Sequence, residues 1–191
     1  MPRDGRMARE RLQRAALELF ADNGFDRTTT VQIAARAGVS ERTFFRHFPD
    51  KREVLFASEG ELRQVTADAL AAVPSTAEPL AALRIAFHDV VPLIERGRPL
   101  AELRASIIAG APALLEREHT KTADLIALVA QGLARRGVSE RSALLCARVG
   151  MASFSTAIHR WNPGVSNLHD EVDAAFDELR IMAAALACET R

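Results

Sequence analysis

The stretch AARAGVSERTFFRHFPDK, residues 34–51, decides how this chain folds. It sets Phe44, Phe45 and Phe48 among Arg42, Arg46, His47 and Lys51. Ser40 is a good helix N-cap, with Val39 and Phe44 placed as the two halves of a hydrophobic staple. Pro49 cannot continue the helix and restricts Phe48 before it, so the segment has barely two turns. On such a helix Phe44 and Phe48 share a face, while Arg42, Thr43, Arg46 and His47 spread over the other side. So few residues stay helical only through tertiary packing. The two phenylalanines therefore read as the anchor, and the polar residues as donors left facing out.

Upstream, Leu12, Ala16, Leu19 and Phe20 recur at helical spacing between Met7 and Asn23, where Asn23 and Gly24 supply a stop. Thr29 or Thr30 caps a short second helix through Ile33, Ala34 and Ala37 that ends at Gly38. Two short helices joined by a Gly-containing turn match the helix-turn-helix pattern, whose second helix lies in the DNA major groove. An ordinary helical corner with a solvated basic face fits the local pattern equally well. Downstream, Asp50 and Glu53 form a D-x-x-E capping box that opens a fourth helix at Lys51, running past Val65 toward Val73. Further helices are expected over roughly 77–91, 99–110, 113–136, 140–162 and 168–188, punctuated by Pro92, Pro99, Gly110, Pro112, Gly137 and the NPG at 162–164. No strand alternation and no internal repeat appears.

The 191 residues, 48% hydrophobic and 26% charged, describe an ordered globular protein able to bury a core. No apolar run approaches the length of a membrane span, and the basic N-terminus has no apolar stretch behind it, so neither membrane insertion nor secretion is expected. Cys146 and Cys188 are isolated, which suggests neither a disulfide framework nor a zinc site; a reducing cytoplasm fits best, and no cofactor or metal is expected. Residues 1–57 hold 11 Arg/Lys against 8 Asp/Glu, a balance of +3, which puts any polyanionic partner at that end. No GxSxG, HExxH, Walker or GxGxxG pattern is present, so catalysis is not expected.

The longer run AALELFADNGFDRTTTVQIAARAGVSERTFFRHFPDKREVLF resembles the DNA-binding domain of the tetracycline-repressor (TetR) family over about residues 9–57. The resemblance implies an all-α fold: an N-terminal three-helix helix-turn-helix domain with a basic arm, residues 1–57, and a larger helical ligand-binding and dimerisation domain, residues 58–191. It implies that Thr30 and Gln32 approach double-stranded DNA from the second helix, and Ser40, Glu41, Arg42, Thr43, Phe45, Arg46 and His47 from the third. Arg42 suits a guanine edge, Thr43 a base edge or thymine methyl, and His47 and Lys51 suit phosphate. The arm MPRDGRMARER is read either as a minor-groove contact or as a disordered terminus.

Two departures stand out. Phe45 occupies a position where the family usually carries Tyr, losing a phosphate hydrogen bond, and Val31 stands where Arg is frequent.

In the last helix Val172, Leu179 and Leu186 are seven apart, with Ala175, Phe176, Met182 and Ala183 between them, a seam suited to helix packing. GMASFSTA, residues 150–157, permits close helix approach. From the residues alone either pattern is an intramolecular core or an interface; the family dimerises through its last two helices in a four-helix bundle, which favours the interface. Phe87, His88, Arg104, Phe154, His159 and Trp161 are candidate lining of the family's small-molecule pocket, with an apolar or amphipathic effector preferred. The implied function is a homodimeric transcriptional regulator, most often a repressor in this family, that binds a palindromic operator and is released by a small molecule. An enzyme with a site assembled from distant residues, and an architectural DNA-binding protein without an inducer, are the competing classes.

Overall fold

The computed structural model describes the backbone of residues 3–188 and the side chains of residues 5–185. Among the described residues the chain is all-helical: α1 Arg3–Asn23, α2 Thr30–Arg36, α3 Glu41–His47, α4 Glu59–Ala72, α5 Pro79–Ala109, α6 Pro112–Arg135, α7 Glu140–Arg160 and α8 Leu168–Cys188. It forms two compact units, residues 1–60 with 97–121, and residues 61–96 with 122–191. The chain passes between them within α4, α5 and α6.

Unit 1 is built around Leu12, Ala16, Phe20, Ile33, Phe44 and Phe48, all nearly or fully buried. α2 begins with the reciprocal capping expected at Thr29, whose hydroxyl accepts from the Gln32 amide while the Gln32 side chain accepts from the Thr29 amide. It ends where Gly38 takes φ +69°, a left-handed conformation open to glycine at no steric cost. The Gly38 amide donates to the Ala35 carbonyl and the Val39 amide to that of Ala34, a Schellman closure that fixes the turn into α3. Ser40 then caps α3 by accepting from the Thr43 amide.

Two sequence expectations fail here. The segment at Lys51 is not helical: residues 51–52 are a bend and 53–58 turns with i to i+3 hydrogen bonds, and regular helix starts only at Glu59. Val54, Leu55 and Phe56 are three consecutive buried side chains, which one face of a 3.6-residue helix cannot accommodate. Asp50 does cap the amides of Arg52 and Glu53 at 2.7 and 3.1 Å, but Glu53 turns to Arg117 and Lys121 instead of completing a box. The segment 97–121, assigned by sequence to the C-terminal domain, clusters with unit 1 because Ile108 and Leu114 are buried in the same core. Arg104 strengthens that attachment by donating to the Leu55 carbonyl at 2.6 Å and pairing with Glu118 at 3.0 Å.

Unit 2 is organised by Phe87, which stacks on Phe154 at 4.4 Å and meets Phe176 at 6.1 Å. Where breaks were expected at Pro92 and Pro99, α5 runs unbroken for 31 residues. A proline in a helix interior removes a hydrogen bond and costs about 3 kcal/mol. Packing on either side offsets this: Val90 and Val91 are fully buried and Ile94 joins the same core, while Leu100 and Leu103 pack in unit 1.

The small residues of α7 serve that core first. Gly150, Phe154 and Ala157 face inward, and a Cβ on Gly150 would lie 2.5 Å from Leu83 Cδ1. Gly150→Ala is therefore expected to destabilise the protein by about 1–3 kcal/mol, the usual cost of overpacking. A chemical-denaturation midpoint equal to that of the parent protein would show that Leu83 gives way freely.

Candidate nucleic-acid interface and ligand cleft

α3 presents a sharply divided surface. Phe44 and Phe48 are buried, while Glu41, Arg42, Phe45 and Arg46 are exposed. Arg42, Phe45 and Arg46 lie at spacings of three and four, so they form one outward stripe. Among the described residues neither arginine is held by a hydrogen bond or ion pair, leaving all five N–H groups of each guanidinium available. Phe45, 51% exposed, rests its edge on Phe44 at 5.4 Å and keeps an open face, and Val31 on α2 is 57% exposed beside this surface's residues in sequence. An aromatic left in water between unpaired cations, and an exposed aliphatic on the neighbouring helix, suit sugar and thymine-methyl contacts.

The remaining expected DNA residues divide into groups with different tasks. Thr30 donates to Glu41 at 2.6 Å, tying α2 to α3, and Gln32 spends its carbonyl oxygen on the Thr29 cap. Ser40 and Thr43 hydroxyls pair at 3.0 Å while Ser40 caps the helix. Of the expected contacts, Thr30, Ser40 and Thr43 thus help position α3, and Gln32 closes the start of α2.

Lys51 and His47 are corrected by the structure. The Lys51 ammonium donates to the carbonyls of Phe25, Asp26 and Thr28 at 2.8, 3.2 and 3.0 Å and sits 4.4 Å from the Phe25 ring centroid. All three of its donors are used on the α1–α2 loop, and no helix begins at Lys51, so the basis for a phosphate contact is gone. His47 turns inward: its Nε2 is buried without a partner, and Gly5 lies beside its ring. Burial pushes its imidazole below the ordinary value, with Arg46 and Arg9 adding to the shift, so a cationic phosphate donor is not available there at neutral pH.

The basic arm is also revised, since residues 3–11 continue α1 as helix. Arg9 is structural: its guanidinium donates to the carbonyls of His47 at 3.1 Å and Ala57 at 2.9 Å and lies 4.5 Å from the Phe48 ring centroid. Sequence reasoning missed this clamp, although Arg9 falls three residues before buried Leu12 and one after buried Ala8.

Unit 2 holds a cleft of about 420 Å³. Of the expected lining only Phe87 and Phe154 are there, joined by Leu62, Thr66, Ile126 and Arg148. His88 instead binds His169 at 2.7 Å and Asp173 at 2.8 Å. Burial alone raises the Asp173 carboxyl, but hydrogen bonds from His88 and Arg84 hold it below the usual range, making this a pin between α5 and α8. Arg104 belongs to unit 1, His159 is exposed, and Trp161 is buried in the core of unit 2. Arg148 was overlooked, though it is the one formal charge on α7 between Arg141 and Arg160.

The dimer seam is corrected in part. Val172, Ala175 and Phe176 are buried in their own unit's core, whereas Met182 and Ala183 are exposed and Leu179 is half-buried. The Leu186 side chain lies outside the described residues.

A capped, glycine-turned helix pair holding an unpaired Arg-Phe-Arg stripe defines a helix-turn-helix DNA-binding protein. Residues 12–58 match the model for bacterial regulatory proteins of the tetR family, and residues 77–184 match that of the MftR C-terminal domain. The chain belongs to the TetR family, and is a DNA-binding transcriptional regulator rather than an enzyme. It is similar to the HTH-type transcriptional regulator TcmR of Streptomyces glaucescens, with 39% identity over 92 residues, 48% of this chain and 41% of TcmR. The match thus spans less than half of that relative. Among solved structures it is similar in fold to SmeT, repressor of the Stenotrophomonas maltophilia multidrug efflux pump SmeDEF, at 22% identity, TM-score 0.57, covering 89% of this chain and 87% of SmeT. PfmR of Thermus thermophilus has 21% identity and TM-score 0.51, covering 87% of this chain and 94% of PfmR. Among the described residues no helix is long and apolar enough to cross a membrane.

Two outcomes follow from the corrected roles. Lys51→Met is expected to cost about 1.5–3 kcal/mol of stability, the range for hydrogen bonds from a charged donor, while the folded variant keeps the parent's salt dependence of DNA binding. A reduced salt slope with unchanged stability would restore Lys51 to the phosphate backbone. For His47, the folded value lies below the unfolded value of about 6.5, so the unfolded chain binds more protons as the solution is acidified. Stability is held above that pH and lost as pH falls through it and then through the lowered folded value. Thermal unfolding between pH 8 and pH 5 is expected to show a smaller acid loss for His47→Gln; parallel profiles would contradict the assignment.

Proposed function

We propose that the chain is a cytoplasmic homodimeric repressor that binds a palindromic operator and leaves it when a small molecule fills the unit 2 cleft. The observation that carries the DNA part is the pair of unpaired arginines flanking Phe45 on a helix anchored from behind. Arg42 reads a guanine edge, Arg46 contacts phosphate or a neighbouring base, and Phe45 and Val31 supply apolar contact. One two-turn helix reads too few base pairs for specificity, and helix-turn-helix dimers read half-sites about 34–36 Å apart.

Support for the dimer comes from the outer faces of α7 and α8. Leu145, Ile181 and Met182 are 63%, 61% and 58% exposed, and a groove between the two helices is lined by Val149, Ala152, Thr156, Leu179 and Met182. A second copy of the same helix pair, as in a four-helix bundle, covers such a surface. Support for effector control comes from where the cleft's residues stand in the chain. Leu62, Ile94 and Thr122 line it, and each lies within one helical turn of a point where α4, α5 or α6 leaves unit 2. A ligand that prefers one arrangement of these helices shifts the population of DNA-competent dimers.

Selection of bound sites from a random duplex library at near-physiological salt is expected to recover a palindrome. Arg42→Ala is expected to relax preference at one position in each half-site and to cost about 1–3 kcal/mol per base-pair contact. A folded, dimeric protein that enriches no sequence would overturn the operator reading, and uniform weakening by Arg42→Ala would move that residue from base to backbone.

A further inference from the structure

The geometry points to an anionic amphiphile, an apolar chain ending in one acidic headgroup, as the molecule that occupies the unit 2 cleft, with Arg148 as the headgroup's anchor. This deepens the effector reading, and rests on it for the consequence at the operator but not for binding itself. The cleft volume of about 420 Å³ falls within the range of small-molecule sites. Its walls are mainly aliphatic and aromatic, its neutral polar side chains are Thr66, Thr122 and Ser155, and Arg148 is its one charge.

α7 forms a long wall of this cleft. Arg148, Met151, Ser155 and Ile158 recur at spacings of three and four, which places them on one stripe. At 1.5 Å per residue, Arg148 and Ile158 are about 15 Å apart along the helix. A cation therefore stands at one end of an apolar strip long enough for an extended chain.

Arg148 is free for that task. It is exposed, and among the described residues no hydrogen bond or ion pair engages it. Arg84, Arg96, Arg160 and Arg136 of the same unit are held, by Asp173, Glu61, Glu178 and the Val73 carbonyl; Arg63, Arg135 and Arg141 are unpaired among the described residues but do not line the cleft. A guanidinium pairs well with a carboxylate or phosphate through two parallel hydrogen bonds. An exposed ion pair contributes little by itself, so a bare anion has little reason to stay. An uncharged chain leaves Arg148 unused, and a cationic amphiphile meets like charge with no carboxylate in the lining.

The test uses the full-length protein, isothermal titration calorimetry, and probes that share a chain but differ in headgroup: decanoate, decyl phosphate, 1-decanol and decyltrimethylammonium. Both anions are expected to bind about two- to fivefold more tightly than the other two, the range of an exposed ion pair, and the tighter of the two names the headgroup. Arg148→Ala is expected to abolish that preference, Arg148→Lys to retain much of it, and Arg148→Glu to turn it toward decyltrimethylammonium. Equal binding of all probes, binding of none, or an unchanged preference in Arg148→Ala overturns the assignment. Arg148 also borders the groove between α7 and α8, so sedimentation accompanies each titration. If Arg148→Ala loses the anions only by losing dimerisation, Arg148 is an interface residue and the assignment falls. Anion binding that leaves operator affinity unchanged supports the ligand class and overturns the effector role, so the two failures are distinguishable.

Discussion

The burial of Phe44 and Phe48 behind a seven-residue helix is the constraint on which the DNA-reading surface depends. α3 is too short to persist by its own hydrogen bonds, and its backbone is held because both rings are almost wholly removed from water. Each buried phenylalanine contributes about 1.5–3 kcal/mol relative to an exposed one, more than a seven-residue segment gains from helix propensity. The turn before the helix, fixed by Gly38 and Ser40, sets its direction. Arg42, Phe45 and Arg46, on the side of the helix away from the anchors, are consequently displayed outward, with Phe45 in edge contact with Phe44.

The positive balance of residues 1–57 is not a measure of the charge offered to DNA. Lys51 is consumed by three loop carbonyls, Arg9 by two, Arg36 by Glu18 and Arg52 by Asp50. Lys51 and Arg9 close backbone carbonyls that a small, turn-rich unit cannot satisfy within helices, and Arg36 and Arg52 pair with carboxylates. Among the described residues, what remains for a polyanion is Arg42 and Arg46 on α3 together with the exposed Arg11 and Arg14 on α1. This division explains why one short segment mixes aromatics and cations so densely: some of the cations hold the aromatic core in place from outside, and others are held out by it.

Local signals were the most legible part of the fold. The Thr29 and Ser40 caps, the Gly38 turn and the Phe44–Phe48 face are decided within a few residues, and the structure places them where the pattern did. Features set by distant partners were not legible. Nothing near Asp50 reveals that Glu53 will face Arg117 and Lys121, so the capping box misplaced the start of α4. The prolines of α5 look like stops until the burial of Val90 and Val91 on one side and Leu103 on the other is known. In α8 a heptad seam has two possible partners, another copy or the chain's own α5 and α7; Val172 and Phe176 take the second.

The cleft illustrates the same limit from the opposite direction. Aromatic and histidine residues drew attention as pocket lining, yet most are engaged: His88 by His169 and Asp173, and Trp161 by the core. A residue whose polar atoms are satisfied elsewhere has little left for a ligand. Arg148 attracts no notice by type, but it stands unpaired among small and apolar neighbours on a helix whose inner face is already filled by Gly150, Phe154 and Ala157. The same accounting applies in both units. On α3 and on α7, Arg42, Arg46 and Arg148 have no partner among the described residues, which leaves their guanidinium groups available to one from outside.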